Sequence, residues 1–468
     1  MIELIRWYDY LLFLAFLLIT IVISNKYIHK RISSEYYKYF LYGLILKLVA
    51  SQIYVHVYVY YYGFGDTIRF YRFGQMYKNL LFEINNLDFF EWLFMSNDLF
   101  RQLISYRIDY SYGFAESSLI INKISGIMSF FTFNSFLLNT ALFSFISYIG
   151  LWYMYKAFVK MYPKLKRELA LSILFVPSVV FWGSGLMKDT ICIGAVGFMT
   201  YNFCRVFIIE EKLTFFEIIL NILMFLLCSY IISIIKIYQL IAYLPGTFLW
   251  LFYHYRSNIK NNFIRISITP FLLAIVSVGI VYGLQAFSEE LDTYALDNVV
   301  DTAIALSYNL GKMDAGSAYD LGPISPSIGG LLSKMPIAVN VTLFRPYVFE
   351  VNNIVMFISS LESSAILILS VYIFLKVGFF KFFKKIFESG ILLYCFIFTL
   401  IFGFAVGMSS SNFGNLVRYK IPLMPFYVSG LFILYYHVTN QPFFDRFFKP
   451  KNKKTITKPN KNIQSLNK

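Results

Sequence analysis

Charged residues are scarce in this sequence, and that scarcity excludes an ordinary soluble protein. Only 14% of the 468 residues are Asp, Glu, Lys or Arg, against about a quarter in soluble globular chains. Hydrophobic residues make up 58% of the chain, and the mean hydropathy is +0.62. Apolar runs of about 20 residues, the length of a membrane span, recur from end to end. The composition therefore predicts one polytopic membrane domain rather than several soluble ones.

The sequence also lacks the residue patterns of common metal and nucleophilic sites. Its four cysteines all fall inside apolar runs without a C-x-x-C pair, and its four histidines are scattered. It contains no G-x-S-x-G, H-E-x-x-H or Walker motif. These absences argue against a zinc site, a disulfide framework and histidine-based catalysis.

The positive charge is plentiful but is divided into short clusters. The net charge of +15 lies between the apolar runs and in a basic tail, residues 441–468. This positive-inside pattern is typical of membrane proteins and argues against nucleic acid as a partner. We expect the tail to be cytoplasmic and disordered, because it has few apolar residues. The first apolar run, about 10–24, lacks a small-residue cleavage site, so we expect a retained helix rather than a signal peptide.

Alternating apolar runs and basic clusters predict an all-α bundle of about 11 transmembrane helices over residues 1–440, with the N-terminus outside. The predicted helices cover about residues 8–25, 39–62, 133–158, 169–186, 190–208, 214–235, 238–253, 266–287, 354–376, 388–408 and 421–438. This series of helices is interrupted by two large outer loops, about 63–130 and 288–353. The first loop mixes charges with aromatic residues, which suits short amphipathic helices at the membrane interface; a small ordered loop away from the membrane is the alternative.

This topology places a set of charged residues on one outer face. They are Asp66, Lys188, Asp189, Lys236, Arg345, Glu350 and Arg418, with Arg69, Arg72 and Lys420 close in sequence. The helices are predicted from apolar runs and basic clusters, without reference to where these residues fall. Their position on one face is therefore independent support for a functional outer face. Charges at membrane depth are costly unless they are solvated, paired or used.

Several of these residues also have a structural alternative. Asp66 suits the N-cap of a helix beginning after it. Arg69 and Arg72 share a helix face and could pair with acids of the outer loop. Arg418 and Lys420 could anchor a helix entrance at the interface.

Two further charges fall inside apolar runs. Lys47 either snorkels to the interface or faces the bundle interior, and the sequence leaves both open. Glu362 is unusual within a span, although it could simply bond to a neighbouring helix.

Carboxylates together with arginines and lysines suit the transfer of a group from a phosphate leaving group. A carboxylate can accept the proton of an attacking hydroxyl. Guanidinium and ammonium groups can bind the phosphate and stabilise its charge as it leaves. A sugar donor linked to a membrane lipid phosphate enters from the bilayer and requires no nucleotide-binding fold.

Four stretches of the chain resemble polytopic GT-C-type glycosyltransferases and bacterial cell-surface polysaccharide polymerases. They are Gly65-Asp66-Thr67-x-x-Phe70-Tyr71, the segment from Pro177 to Asp189, Leu343-Phe344-Arg345-Pro346-Tyr347-x-x-Glu350, and Val417-Arg418-Tyr419-Lys420-Ile421-Pro422-x-x-Pro425. They are spread over about residues 40–430, so the resemblance extends over most of the chain.

The resemblance implies a GT-C-like bundle in the bacterial inner membrane. It also implies a polyprenyl-phosphate- or diphosphate-linked sugar donor, a glycan or lipid acceptor, and inverting transfer on the periplasmic side. Asp66 takes the position of the acidic residue that acts as base or helps hold a divalent metal, Mg or Mn. The chain departs from the family pattern by having one aspartate there instead of paired acids.

Two other functions remain alternatives. One is a repeat-unit polymerase for capsule, exopolysaccharide or O-antigen. The other is a transporter, or flippase, for a lipid-linked oligosaccharide, for which repeated halves and midplane charges are expected. The sequence shows no convincing internal repeat and gathers its charges at one face, which favours an enzyme.

Overall fold

The computed structural model describes residues 4–29, 35–85, 87–105, 115–256, 319, 321–322, 328–410 and 412–448. The regular structure in these residues is helical. The predicted helix at 266–287, the predicted loop from 288 to 318 and the tail from 449 to 468 lie outside the described residues.

The helices are numbered here in chain order. Helices α1 to α6 are Trp7–His29, Lys38–His56, Asp66–Glu83, Phe89–Leu93, Asn97–Ser105 and Glu116–Phe131. Helices α7 to α11 are Phe136–Met161, Lys166–Leu174, Pro177–Trp182, Lys188–Phe203 and Phe215–Tyr255. Helices α12 to α19 are Ile328–Ser333, Met335–Phe344, Ile354–Val377, Phe379–Glu388, Gly390–Ser409, Phe413–Tyr419, Met424–Thr439 and Asp445–Phe448. Two π-helical segments, Val57–Tyr62 and Cys204–Ile208, prolong α2 and α10.

Seven helices in the described part of the chain are long and apolar enough to cross a membrane. They are α1, α2 with its flanking turns, α7, α10, α11, α14 and α16. An eighth span results if α17 and α18, which meet at 65°, cross together. The described residues therefore form the all-helical bundle of a polytopic membrane protein, as the composition predicts.

The predicted fourth helix, about 169–186, is broken in the structure. It is divided into α8 and α9, of nine and six residues, and α9 begins with Pro177. The residue before a proline is disfavoured in helical conformation, and Val176 is accordingly extended (φ −63°, ψ 122°). Neither piece is long enough to cross a bilayer alone.

Helix α11 combines the predicted sixth and seventh helices and folds back on itself at Lys236, where φ is −151° and ψ is 74°. Near its start, the Glu217 carboxylate accepts a hydrogen bond from Arg205 (2.7 Å). At its end, the Tyr255 hydroxyl donates to the carbonyl of Phe207 (2.9 Å). The ends of a straight helix of this length would be about 60 Å apart. The two arms therefore run antiparallel, with Lys236 at the tip of the hairpin.

The first predicted outer loop folds into a helical unit, α3 to α6, with a core of its own. The core residues are Phe73, Tyr77, Leu80, Trp92, Met95, Phe100, Ile104 and Leu119. The Trp92 indole donates a hydrogen bond to the carbonyl of Tyr77 (2.7 Å), and the two rings stack 4.7 Å apart. Helices α3 and α6, at 18 and 16 residues, are longer than the short helices predicted, because they pack against each other.

The end of the second predicted outer loop belongs to the bundle. Helix α13 is apolar and packs against α16, where the Thr342 hydroxyl donates to the carbonyl of Gly403 (2.7 Å). A Cβ atom at Gly407 would overlap the carbonyl of Ala338. The predicted loop, 288–353, therefore extends too far, because helical packing begins before residue 353.

The predicted tail also begins too early. The backbone N–H of Phe444 donates to the Glu168 carboxylate (2.9 Å), and the Phe443 ring packs against Phe432 at 5.3 Å. Residues 441–448 are thus attached to the bundle rather than disordered.

Close packing of α7 and α10 fixes the centre of the bundle. A Cβ atom at Gly150, Gly194 or Gly197 would overlap backbone atoms of the facing helix. Small residues allow such close approach between membrane helices. The start of α10, which carries Asp189, is therefore held firmly beside α7.

Candidate functional site

Four charged side chains from distant parts of the sequence form what we call the ionic chain: Asp66, Arg418, Asp189 and Lys236. Arg418 Nη1 lies 3.3 Å from Asp66 Oδ2, and Arg418 Nε lies 3.5 Å from Asp189 Oδ2. Lys236 Nζ donates to Asp189 Oδ1. The side chains are 42%, 13%, 2% and 8% exposed in that order. The ionic chain thus extends from the accessible carboxylate of Asp66 to the buried ion pair of Asp189 and Lys236.

Each member of the ionic chain lies where the local helix favours its charge. Asp66 and Asp189 are in the first turns of α3 and α10. Arg418 is in the last turn of α17, and Lys236 follows the last helical residue of the first arm of α11. Acids are stabilised at helix N-termini and bases at C-termini, so four helix ends meet with compatible charges.

The loop before Asp66 depends on glycine. Gly63 and Gly65 have φ values of +71° and +142°, which residues with side chains rarely adopt. A Cβ atom at Gly65 would also overlap the ring of Tyr58. These two residues turn the chain from the π-helical end of α2 into α3, so that Asp66 faces Arg418.

The ring of Tyr419 contacts both cationic members of the ionic chain. Lys236 Nζ lies 4.7 Å from the ring centroid of Tyr419, and the Arg418 guanidinium lies 4.9 Å from the same ring. Arg418 Nη2 also donates to the Tyr419 hydroxyl (3.2 Å). Such cation–π contacts strengthen when the cation is removed from water.

Buried polar groups without a hydrogen-bond partner among the described residues flank the ionic chain. They are the hydroxyls of Tyr54, Thr67 and Thr190 and both amide atoms of Gln239. Thr67 and Thr190 adjoin the two aspartates in sequence, and Gln239 follows Lys236 on α11. Buried polar atoms are nearly always paired, so these groups are suited to contact a hydroxyl-bearing ligand or water.

Charge patterns in the sequence do not point to these flanking residues, because none of them carries a charge. Tyr54 is one of 38 tyrosines, and nothing in the sequence distinguishes it. Gln239 offered a signal, because an amide inside an apolar run has to find a partner.

Arg345 and Glu350 form a second ion pair. Arg345 Nε donates to Glu350 Oε2 (3.0 Å), and its guanidinium lies 5.0 Å from the ring centroid of Phe413. Phe413 begins α17 and Arg418 lies in its last turn. Helix α17 thus runs between this pair and the ionic chain. As predicted from Pro346, Arg345 has an extended backbone (φ −102°, ψ 157°).

Of the other predicted site residues, Lys188 lies close enough to Asp189 to interact with it electrostatically. Lys188 Nζ donates to Ser117 Oγ (2.6 Å), and Lys420 is buried and donates to Ser363 Oγ (3.1 Å). Arg69 and Arg72 are exposed on α3, one and two turns after Asp66.

Lys47 and Glu362 both contact the short helix α9. Lys47 is buried and its Nζ donates to the carbonyl of Val179 (2.8 Å). Glu362 Oε2 accepts from the backbone N–H of Ser178 (2.5 Å). The acid is at the N-terminal end of α9 and the base is nearer its C-terminal end, the arrangement that a helix dipole favours. We call these two residues the α9 clamp.

The carboxylates of the ionic chain do not fit a divalent metal site. Asp66 and Asp189 share Arg418 between them, which occupies the position a bridging cation would take. Among the described residues, no three His, Cys, Asp or Glu side chains lie close enough together to hold a metal ion.

Comparison with known proteins adds no relative: no family model, curated protein or solved structure matches this chain.

Proposed function

We propose that this protein is an integral membrane glycosyltransferase. It moves a sugar or oligosaccharide from a polyprenyl-phosphate or diphosphate carrier to a hydroxyl acceptor in the synthesis of cell-surface polysaccharide or glycolipid. The ionic chain carries the proposal, because it joins an accessible carboxylate to buried cations at one end of a membrane bundle. The four sequence stretches that resemble GT-C-type enzymes add support.

In this proposal, Asp66 is the general base. Its carboxylate takes the proton of the acceptor hydroxyl while that oxygen attacks the anomeric carbon of the sugar. The bond from this carbon to the phosphate oxygen breaks, and the electron pair leaves with the phosphate. Asp66 is the one member of the ionic chain with substantial exposure, at 42%, so an acceptor can reach it.

The cations have two roles. Arg69 and Arg72, exposed beside Asp66 on α3, bind the departing phosphate, whose charge guanidinium groups stabilise. Arg418 orients Asp66. Asp189 and Lys236 are positioning residues, because they hold Arg418 without being accessible themselves.

We assign the ionic chain to the periplasmic side of a bacterial inner membrane, with the N-terminus outside and the C-terminus in the cytoplasm. Contacts among residues predicted on the opposite side support this assignment. Lys160 Nζ lies 2.7 Å from Glu211, and the Tyr162 hydroxyl lies 3.1 Å from His437 Nε2. The basic clusters therefore gather at the end of the bundle predicted to face the cytoplasm.

Substitution of Asp66 tests the proposed function. In proteoliposomes supplied with a radiolabelled polyprenyl-phosphate sugar and a glycan acceptor, Asp66→Asn should lower the transfer rate by about 10²–10⁴-fold, the contribution typical of a general base. Asp98→Asn is the matched control, since Asp98 is an exposed carboxylate paired with Arg101 in the same helical unit. Equal rates for the wild type and Asp66→Asn would contradict the proposal. A ladder of product lengths would identify a polymerase.

The broken helices favour a second candidate, a transporter for a lipid-linked oligosaccharide. Interrupted helices with charges at the break are typical of transporter binding sites. Here α8 and α9 are separated at Val176, and α17, which carries Arg418, meets α18 at 65°. In the same proteoliposomes, a transporter would move the labelled lipid between leaflets without forming a new glycosidic bond.

A further inference from the structure

We propose that α15, residues Phe379–Glu388, lies in the plane of the membrane surface and binds anionic phospholipid headgroups. The proposal is independent of sugar transfer, because it concerns a helix that contributes nothing to the ionic chain. Its basis is the distribution of phenylalanine and lysine around this one helix.

Three different surfaces divide the circumference of α15. Phe382 and Ile386 face the protein: Ile386 belongs to the buried core, and Phe382 packs against Phe374 at 5.2 Å and Phe396 at 6.0 Å. At 100° per residue, the next quarter of the helix carries four exposed phenylalanines. They are Phe379, Phe380, Phe383 and Phe387.

The remaining surface of α15 is charged. Lys381, Lys384, Lys385 and Glu388 lie together on the side away from the protein contact. Glu388 pairs with Lys385 (3.0 Å) and more loosely with Lys384 (3.8 Å), which leaves an excess of positive charge. A helix with one aromatic and one basic surface is typical of membrane-surface helices.

The aromatic surface of α15 is continuous with the exposed apolar surface of α14, which is surrounded by lipid if α14 spans the membrane. Helix α14 is a candidate span that ends at Val377, and Gly378, with φ +81°, turns the chain directly into α15. Leu375, in the last turn of α14, is 73% exposed, and Phe380, in the first turn of α15, is 86% exposed. Lipid that covers α14 therefore reaches the phenylalanines, which favours a bilayer over a protein partner.

The surroundings of α15 are also basic. Lys385 is near enough to His437 to interact with it electrostatically, and His437 bonds to Tyr162. Beyond Tyr162 lies a cleft of about 550 Å³ whose lining includes Lys164, Lys166 and Arg167, together with Glu168 and Asp445. Each basic side chain near a membrane surface adds to the attraction of anionic lipids.

The test measures depth and lipid binding in the full-length protein. A bimane label at Phe383→Cys or Lys381→Cys reports depth, because the four native cysteines are buried and these two positions lie on opposite sides of the helix. In vesicles of phosphatidylcholine with phosphatidylglycerol, doxyl-labelled lipid should quench the label at 383, and iodide should quench the label at 381. Quenching of both labels by iodide alone would overturn the membrane placement and indicate a protein partner.

Lipid binding is measured by native mass spectrometry in neutral detergent with added phosphatidylglycerol. The triple variant K381E/K384E/K385E should weaken phosphatidylglycerol binding by at least about tenfold, whereas K381R/K384R/K385R should retain it. Binding of phosphatidylcholine should not differ among the three proteins. Equal phosphatidylglycerol binding by wild type and K381E/K384E/K385E would overturn the headgroup assignment.

Discussion

Two sets of charged side chains lie in this bundle, the ionic chain and the α9 clamp, and they differ in what they contact. Lys47 and Glu362 each bond to backbone groups of a single short helix. Asp66, Asp189, Lys236 and Arg418 bond to one another across four separate segments. Only the ionic chain leads to an accessible carboxylate. In a membrane bundle, burial of a charged side chain does not by itself indicate a functional site. The groups that the side chain contacts are the better indication.

Removing the centre of the ionic chain should have the largest effect on stability. Asp189→Leu leaves Lys236 and Arg418 without their shared buried partner. Breaking a buried ion pair from one side typically costs about 3–5 kcal/mol, so we expect a matching loss in the free energy of unfolding, measured in detergent by denaturant titration. The double variant Asp189→Leu/Lys236→Met removes a stranded charge and should recover part of that loss. A stable single variant would contradict the shared role of Asp189.

Arg418→Lys should affect the proposed sugar transfer more than the stability of the fold. Arginine contacts Asp66 through Nη1 and Asp189 through Nε, and a single ammonium cannot reproduce this forked geometry. We expect the variant to fold with a loss of about 1–2 kcal/mol, and the transfer rate to fall about 100-fold as Asp66 loses its orientation. Rates per folded molecule, from reconstituted samples of equal helicity, measure the effect. An unchanged rate would separate Arg418 from the site.

Lys47→Met tests the α9 clamp, the second of the two sets of charges. The change removes one hydrogen bond to the Val179 carbonyl but leaves no opposite charge unpaired. The free energy of unfolding should therefore change by no more than about 1–2 kcal/mol, and the transfer rate per folded molecule should stay at the wild-type level. A loss of transfer without a loss of stability would place Lys47 in the site and break the comparison.

The smallest effect is expected at a surface ion pair. Hydrogen bonding to Asn97, aided by Arg101, holds the pKa of Glu116 below its ordinary value of 4.5. A lowered folded-state pKa gives stability above the ordinary value that is lost as the pH falls below it. Glu116→Gln should remove this contribution, less than about 1 kcal/mol for an exposed pair, and only above pH 4.5. A larger effect at pH 7 would show that α5 and α6 depend on this contact.

The sequence predicted which charges share one end of the bundle, but not which of them touch. Apolar runs and basic clusters locate Asp66, Asp189, Lys236 and Arg418 near helix ends, because those patterns are local. The contact between Asp66 and Arg418 joins residues 352 positions apart, and it depends on how the helices pack. The same reason explains why α13 and residues 441–448 were assigned outside the bundle. The break before Pro177 was readable from the sequence, since proline restricts the residue before it.

The hairpin of α11 has a consequence for how the protein is assembled during synthesis. In the orientation proposed above, the two arms cross the membrane in opposite directions and place Lys236 on the outer side. Asp189 precedes Lys236 by 47 residues. Translation in this order would therefore make the neutralising partner before the charge that needs it.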